Sequence, residues 1–333
     1  MERDSIIEGI EAAFQAMLDD KSGLDQLLDL AKAKNAWFDR PNLEFNLSEW
    51  SKILTTKDLS DWVASYSFTD SPKKIGIIMA GNVPMVGLHD LLCVLLSGHH
   101  AKVKLSSDDE VLIPHFVEKI TEQNKALGSR IEFVERVKEV DAIIATGSNN
   151  TARYFQAYFG HLPNIIRKNR TSVAIISGEE TKEELRALGR DIYTYFGLGC
   201  RNVSALLIPN NYDLSDLLYC LEEFVTVMDH HKYANNYTYH KAIWLMDNVV
   251  HYDNGFMCFK EERNVHAPLS TLYYYRYKDK EEISKYVSDF QEDIQCVVGV
   301  DSHFCEVKPG ESQSPQLTDY ADKIDVLDFL SKL

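Results

Sequence analysis

Residues 74–105 constrain the fold more than any other part of this 333-residue chain. Lys-Ile-Gly-Ile-Ile-Met (74–79) is an apolar run typical of a buried strand, and Ala-Gly-Asn-Val-Pro (80–84) follows it as a sharp turn. The apolar segment 85–97 predicts a helix, because a proline suits its first turn and a glycine follows its end. Residues 101–105 predict a second strand, and a strand–helix–strand unit of this length indicates a parallel sheet.

Strand and helix patterns keep alternating beyond this unit. The further predicted strands lie at 131–134, 142–145, 172–177 and 203–209, and the helices between them at 108–125, 148–159 and 182–195. This alternation predicts an α/β fold with a doubly wound parallel sheet. Residues 5–66 indicate a helical preamble, and the tyrosine-rich second half indicates a second lobe with a long helix at 214–228.

Several polar residues outside these elements have structural interpretations. Asn42 and Asn46 are predicted to cap helices, and His99 and His100 to form an exposed helix end. His230, His231 and His240 do not have metalloprotease spacing, so the sequence predicts no metal site.

Charge and composition exclude several functional classes. The formal charge is −16, from 35 basic and 51 acidic side chains, which argues against nucleic acid as a partner. No apolar run reaches the length of a membrane span, and the first residues lack the pattern of a signal peptide. Six cysteines without a CxxC pair indicate free thiols in a reducing compartment. These features together predict a cytoplasmic protein.

Ligands of doubly wound sheets gather at the carboxyl ends of the strands, and three turns qualify here. They are Gly-Asn at 81–82, Leu-Ser-Ser at 105–107 and Thr-Gly-Ser at 146–148, and none forms a GxGxxG fingerprint. The Gly-Ser turn could cradle a phosphate or merely cap a helix. Lys102 and Lys104 share one face of a strand, which fits either a nucleotide phosphate or ribose or a solvated rim.

Cys200 stands in the turn that best suits a nucleophile. The helix predicted at 182–195 ends in Gly197 and Gly199, and the strand predicted at 203–209 follows the cysteine almost at once. A thiol on a glycine-flanked turn between two rigid elements is well placed and open on one side. The alternative is that Cys200 only packs, as the apolar surroundings of the other five cysteines indicate for them.

Taken in order, these motifs resemble the aldehyde dehydrogenase superfamily. The closer similarity is to its acyl-CoA reductases, the fatty-acyl reductase family of bacterial bioluminescence, over roughly residues 70–330. Phe-Gly-Leu-Gly-Cys-Arg-Asn-Val-Ser (196–204) and Ser-Pro-Gln-Leu-Thr-Asp-Tyr-Ala-Asp (314–322) carry much of it. The resemblance implies an aldehyde-dehydrogenase-like fold with three segments. They are a helical and nucleotide-binding domain (1–170), a second α/β domain carrying the catalytic cysteine (171–310), and a C-terminal tail (311–333).

The resemblance implies a role for each motif residue. Cys200 matches the catalytic thiol, and Asn82 matches an asparagine whose amide stabilises the oxyanion together with the backbone N–H of the cysteine. Lys104 matches the lysine at the adenosine ribose. Gly147 and Ser148 match the turn under the cofactor phosphates and nicotinamide.

Two departures from the superfamily pattern refine the expected chemistry. Ser106 and Ser107 follow the lysine segment, and Ser107 stands where many relatives have a glutamate that binds ribose hydroxyls. A serine does not repel a 2′-phosphate, so NADPH is the expected cofactor, with NADH as the alternative. Residues 166–169 (Ile-Arg-Lys-Asn) align with the general-base segment of hydrolytic members and hold no glutamate. This favours acyl-CoA chemistry over hydrolysis.

The sequence hypothesis is therefore NADPH-dependent reduction of an acyl-CoA thioester to an aldehyde through an acyl-enzyme on Cys200. An acyl-phosphate reductase with the same nucleophile, and an inactive binding protein of the same fold, remain as alternatives. The resemblance also implies acyl-CoA or acyl-protein as substrate and an acyl-protein synthetase as a partner. The tyrosines of the second lobe fit either an acyl pocket or a homo-oligomer interface.

Overall fold

The computed structural model describes residues 2–333, which form two compact units. The first unit comprises residues 2–169 together with 316–333, and the second comprises Arg170–Pro315. Across residues 2–333, no helix combines the length and the apolar character needed to cross a bilayer.

The first unit opens with four helices and continues into a five-stranded sheet. The opening helices are α1 (Arg3–Asp19), α2 (Lys21–Lys34), α3 (Arg40–Ile53) and α4 (Thr56–Val63). The strands are β1 (Lys74–Ile78), β2 (His100–Lys104), β3 (Ile131–Phe133), β4 (Ala142–Thr146) and β5 (Asn164–Arg167), connected by α5 (Leu88–Leu96), α6 (Leu112–Gln123), α7 (Lys125–Gly128) and α8 (Asn149–Phe159). The sheet order is β3-β2-β1-β4-β5, with every neighbouring pair parallel.

Amphipathic helices and apolar strands build the core of this unit. Helix α1 buries Ile6, Ile10 and Phe14, whose spacing of four places them on one stripe. The Phe14 ring packs edge-on against Phe116 of α6, with ring centroids 5.7 Å apart. Each such side chain, when fully buried, contributes about 1.5–3 kcal/mol of transfer free energy.

The second unit carries a six-stranded sheet. Its elements are β6 (Thr171–Ile175), α9 (Lys182–Tyr193), a 3-10 helix (Thr194–Gly197), β7 (Val203–Pro209), α10 (Ser215–Leu221), a second 3-10 helix (Glu222–Asp229), α11 (His231–Met246), β8 (Tyr252–Asp253), β9 (Cys258–Glu261), β10 (Thr271–Tyr277), α12 (Lys280–Asp289) and β11 (Ile294–Val298). The order is β11-β6-β7-β10-β9-β8, and only the β8–β9 pair is antiparallel. The predicted α/β class with a doubly wound parallel sheet and a second α/β body is confirmed.

The last residues return to the first unit. A 3-10 helix (Ala321–Lys323) and α13 (Val326–Ser331) follow Pro315, and Leu317, Leu327 and Leu330 are buried in the core of that unit.

Four local predictions are wrong, and each has a physical reason. Helix α5 begins at Leu88 rather than residue 85, because Met85 adopts a left-handed conformation (φ 55°) that a right-handed helix excludes. The helix predicted at 214–228 ends at Leu221 and continues as a 3-10 helix. Asn42 and Asn46 are not caps: Asp39 caps α3 by accepting from the Asn42 N–H at 3.0 Å, and Asn46 lies further inside the helix and donates to the Pro84 carbonyl at 3.0 Å.

His99 is buried rather than exposed. Its Nδ1 accepts from the Lys73 backbone N–H at 3.0 Å, which leaves Nε2 to donate to the Leu330 carbonyl at 3.1 Å. Burial lowers the pKa of His99, which favours this neutral form.

Candidate active site

One edge of the first sheet carries all the predicted cofactor residues of the first unit. Strands β2, β1 and β4 are adjacent and parallel, so their carboxyl ends lie side by side. Asn82 follows β1, Lys104 ends β2, and the Gly147–Ser148 turn follows β4. The strand order reverses between β1 and β4, because β2 and β3 lie on one side of β1 and β4 and β5 lie on the other. Doubly wound sheets bind ligands at such a reversal.

The turn after β1 and the loop after β2 are in close contact. A Cβ atom added to Gly81 would lie 2.7 Å from the Ser106 hydroxyl oxygen, so only glycine fits beside this loop. The Ser106 hydroxyl accepts a hydrogen bond from the Asp108 backbone N–H at 3.2 Å, while Ser107 is exposed. Ser106 therefore shapes the loop, and Ser107 is the hydroxyl that this edge presents to solvent.

Two buried polar side chains support the turn that contains Asn82. The Asn46 amide donates to the Pro84 carbonyl at 3.0 Å, and an Asp109 carboxylate oxygen accepts from the Met85 N–H at 2.7 Å. The other Asp109 oxygen is buried and has no hydrogen-bond partner among residues 2–333. Burial raises the pKa of Asp109 to about 7, against the opposing effect of the Met85 hydrogen bond.

The turn after β4 combines a glycine with a helix cap. The Ser148 hydroxyl accepts from the Thr151 N–H at 3.2 Å and so caps α8. The Gly147 N–H donates to the Arg167 carbonyl at 3.3 Å, and a Cβ atom on Gly147 would meet Phe155 and Thr151 within 3.1 Å. The turn is therefore fixed on β5 and leaves no room for a side chain.

Arg167 lies in the segment 166–169, which the resemblance aligns with the general base of hydrolytic members. Its guanidinium forms a two-pronged ion pair with Asp90 of α5, with distances of 2.6 and 3.0 Å, and both side chains are buried. Burial by itself lowers the pKa of Arg167, but the charge and hydrogen bonds of Asp90 prevail and raise it. The Asp90 carboxylate is thus committed to an ion pair.

The two lysines of β2 have different surroundings. Lys102 donates to the Lys138 carbonyl at 3.2 Å and lies 3.9 Å from the Glu132 carboxylate on the edge strand β3. Its ammonium group therefore has protein partners. Lys104 is half-buried at the carboxyl end of the strand, beside the turns described above.

In the second unit, Cys200 lies between the end of α9 and β7. Three consecutive residues before it have left-handed backbones: Tyr195 (φ 53°), Phe196 (φ 57°) and Gly197 (φ 81°). Such a run is unfavourable for side-chain-bearing residues and is typical of functional sites. The Tyr195 and Phe196 side chains are buried, so packing fixes this turn.

Hydrogen bonds hold Cys200 from two directions. The Ser172 hydroxyl on β6 donates to the Cys200 carbonyl at 3.1 Å. Asn202, which is 1% exposed, accepts from the Gly199 N–H at 2.8 Å and donates to three carbonyls at the end of α9. Arg201 donates to the Ser312 carbonyl at 2.5 Å, so its side chain ties the turn to the segment that precedes the return to the first unit.

The other five cysteines lie in surroundings that suit packing. Four of the other five are buried, and Cys305 is half-buried like Cys200. Burial raises the pKa of each of these five thiols, to about 12 for Cys258 and Cys305. A thiol in such surroundings stays protonated at neutral pH and is a poor nucleophile.

Sequence reasoning missed Asp109 and Asn202, which support the two turns. Asn202 carries a signal that could have been used, since an asparagine two residues after a cysteine in a Gly-rich turn often bonds its own backbone. Asp109 carries no such signal, because its partner is the backbone of a turn 24 residues earlier.

A cluster of His251, Asp253 and Cys258 in the second unit has metal-ligand types within 4.8 Å of one another. Its carboxylate is already used by Tyr237, by the Gly255 N–H and by the Lys241 ammonium group at 2.5 Å. That positive charge opposes a cation, and we assign no metal here.

The comparisons with known proteins agree with the parallel-sheet fold. Residues 15–228 match the acyl-CoA reductase (LuxC) family. The chain belongs to this family. It is therefore an oxidoreductase of the acyl-CoA reductase type, as the sequence hypothesis predicts. No curated protein sequence matches it significantly.

Solved structures confirm the aldehyde dehydrogenase fold. A candidate aldehyde dehydrogenase from Burkholderia cenocepacia is 14% identical, with TM-score 0.68 over 91% of this chain and 75% of that one. The Mycobacterium tuberculosis aldehyde dehydrogenase complexed with NAD+ is 14% identical, with TM-score 0.64 over 87% and 71%. A mutant of aldehyde dehydrogenase C from Pseudomonas syringae, in complex with NAD+ and octanal, is 11% identical, with TM-score 0.65 over 90% and 73%.

Proposed function

We propose that this protein reduces acyl-CoA thioesters to aldehydes with NADPH, through an acyl-enzyme thioester on Cys200. The observation that carries the proposal is the Cys200 turn, in which Ser172 and Asn202 hold the backbone around a half-buried cysteine after a strained left-handed segment. Membership of the acyl-CoA reductase family supports the substrate class. The NAD+ bound by the Mycobacterium tuberculosis relative supports a nicotinamide cofactor.

The carboxyl edge of the first sheet fits a dinucleotide. The 11-residue helix α8 begins directly after the Gly147–Ser148 turn, so its first N–H groups can bind phosphate. Lys104 adds a positive charge, and exposed Ser107 adds a hydroxyl without negative charge. These donors suit a cofactor with a 2′-phosphate, although exposed Asp108 next to Ser107 makes the choice between NADPH and NADH a matter for measurement.

The chain's own residues would perform the acyl transfer. The Cys200 thiolate attacks the acyl carbonyl, forms the new C–S bond and expels the coenzyme A thiolate. Asn82 is proposed to donate its amide hydrogen to the oxyanion, as the resemblance implies. When bound, the nicotinamide supplies a hydride. Cys200 then leaves the former thioester carbon as a thiolate, and the aldehyde is released.

The segment after β5 supports reduction over hydrolysis. Residues 164–169 contain no carboxylate, and Arg167 is locked to Asp90. Without a base there to activate water, a thioester on Cys200 would persist until it is reduced. An acyl-protein synthetase that delivers the acyl group is a proposed partner.

The test is the loss of NADPH absorbance with a panel of acyl-CoAs of increasing chain length, acyl phosphates and NADH in parallel. We expect consumption that depends on acyl-CoA and disappears in Cys200→Ala, with NADPH binding retained. Cys220→Ala is the matched control, because that thiol is buried on α10 rather than in the Cys200 turn and its loss should leave turnover unchanged. Turnover that survives in Cys200→Ala would refute the mechanism. NADPH consumption with acyl phosphates but not with acyl-CoAs would show that the substrate is an acyl phosphate.

A further inference from the structure

We propose that Asn202 is a positioning residue that sets the attack geometry of Cys200. This inference rests on the proposed role of Cys200 as the acyl acceptor. It assigns the residue a task that the family resemblance does not give it.

The turn before Cys200 needs an external constraint. Tyr195, Phe196 and Gly197 are left-handed in succession, and the first two carry large side chains that disfavour this conformation. The reversal also leaves the last carbonyls of α9 without helical partners. A turn of this kind persists only where its surroundings determine it.

Asn202 supplies that constraint through one side chain. Its Nδ2 group donates to the carbonyls of Asp191, Ile192 and Thr194 at 3.0, 3.3 and 2.8 Å. Its Oδ1 accepts from the Gly199 N–H at 2.8 Å. The amide thus connects the end of α9 to the residue directly before Cys200.

The backbone of Asn202 anchors the same turn to the sheet. Its N–H donates to the Gly199 carbonyl at 3.1 Å, and its carbonyl accepts from the Ser172 N–H at 2.9 Å. The Ser172 hydroxyl in turn donates to the Cys200 carbonyl. Because Cys200 lies between these anchors, loss of the Asn202 amide should displace the thiol while leaving it present and accessible.

The experiment separates thiol presence from thiol geometry. Acylation of Cys200 is followed by the burst of nitrophenolate from p-nitrophenyl acetate, which requires neither coenzyme A nor NADPH, with Cys200→Ala as the blank. Alkylation of the same thiol by iodoacetamide, located by peptide mass spectrometry, reports its accessibility. A small alkylating reagent needs no oxyanion site. Acyl transfer does, and a misplacement of about 1 Å lowers its rate about 10²-fold.

For Asn202→Ala we expect acylation about 10–100-fold slower, with iodoacetamide alkylation of Cys200 within about threefold of wild type. Ser172→Ala, which removes one hydrogen bond and is nearly isosteric, should slow acylation about 3–10-fold. Asn236→Ala is the matched control, because it removes an amide donor to a helix carbonyl elsewhere in the same unit. Its acylation rate should equal that of wild type.

An Asn202→Ala acylation rate within about twofold of wild type would overturn the inference. Slowed acylation accompanied by new labelling of Cys258 and Cys296 would also overturn it, because labelling of these buried thiols would show that the variant has lost its fold. If Asn202→Ala does not fold, an unchanged rate in Ser172→Ala overturns it and a slowed rate supports it. Absence of acyl-CoA-dependent NADPH oxidation in wild type would instead refute the proposed function, while the Cys200-dependent burst still decides the positioning role.

Discussion

Replacing Asp109 by asparagine should change how the stability of the first unit depends on pH. Asp109 is 4% exposed, and one of its oxygens is buried without a partner. Its pKa in the folded protein is about 7, against an ordinary value of 3.8. The folded state therefore binds this proton more tightly than the unfolded chain does. The resulting stabilisation is complete below about pH 3.8 and is lost as pH rises through about 7.

The size of the effect follows from the pKa difference. Three pH units at 1.36 kcal/mol each give about 4 kcal/mol as an upper limit. Asparagine is neutral at every pH and keeps an oxygen for the Met85 N–H, so it imitates the protonated acid. We expect Asp109→Asn to match wild type near pH 4 and to exceed it by about 1–4 kcal/mol at pH 8.

Urea unfolding between pH 4 and 8.5 would measure this difference. Tryptophan fluorescence suits the assay, because Trp37, Trp50 and Trp62 all lie in the first unit. Asp108→Asn changes the exposed neighbour and serves as the control, with an unchanged pH profile expected. Parallel stability curves for wild type and Asp109→Asn, or a variant that is less stable at pH 8, would refute the reasoning.

Three further perturbations test other parts of the site. Asn82→Ala should lower kcat by about 10²–10³ with circular dichroism unchanged, and a rate near wild type would remove it as an oxyanion donor. Ser107→Glu should lower the NADPH-to-NADH ratio of kcat/KM about tenfold or more by repelling the 2′-phosphate, so an unaltered ratio would place the phosphate elsewhere. Asp90→Asn should cost about 3–5 kcal/mol by leaving Arg167 charged, buried and unpaired, whereas Asp90→Leu combined with Arg167→Met should recover most of it. Urea unfolding of these variants measures that cost. A loss of unfolding free energy below about 1 kcal/mol for Asp90→Asn would contradict the expectation.

Local patterns were sufficient for most elements of the fold. The strand Val203–Pro209 has its predicted bounds, because an apolar run between an asparagine and a proline specifies a buried strand by itself. The turn after β1 and the Gly-rich turn before Cys200 were also recognised from glycine and proline alone. Strand β5 was missed as a strand, since Asn164–Arg167 is short and ends in a charge.

Features that depend on distant partners could not be predicted. His99 lies beside a glycine that ends a helix, and nothing nearby shows that its ring bonds Leu330, 231 residues later. The left-handed backbone of Met85 likewise depends on Asp109 and on the close packing of the two loops, neither of which a local pattern encodes. Arg167 was noted in the sequence, but its pairing with Asp90 spans 77 residues.

The return of residues 316–333 to the first unit has a consequence for biosynthesis. Tyr320 accepts a hydrogen bond from Trp62, and His89 bonds the Leu317 carbonyl, so the first core is closed by residues made after the second unit. A ribosome adding 5–20 residues per second needs about 7–30 s to make the intervening second unit. During that interval the partner surface on α4 and α5 has no cover. The nascent chain therefore passes through a stage in which its second unit can fold before its first is complete, and binding by chaperones should peak there.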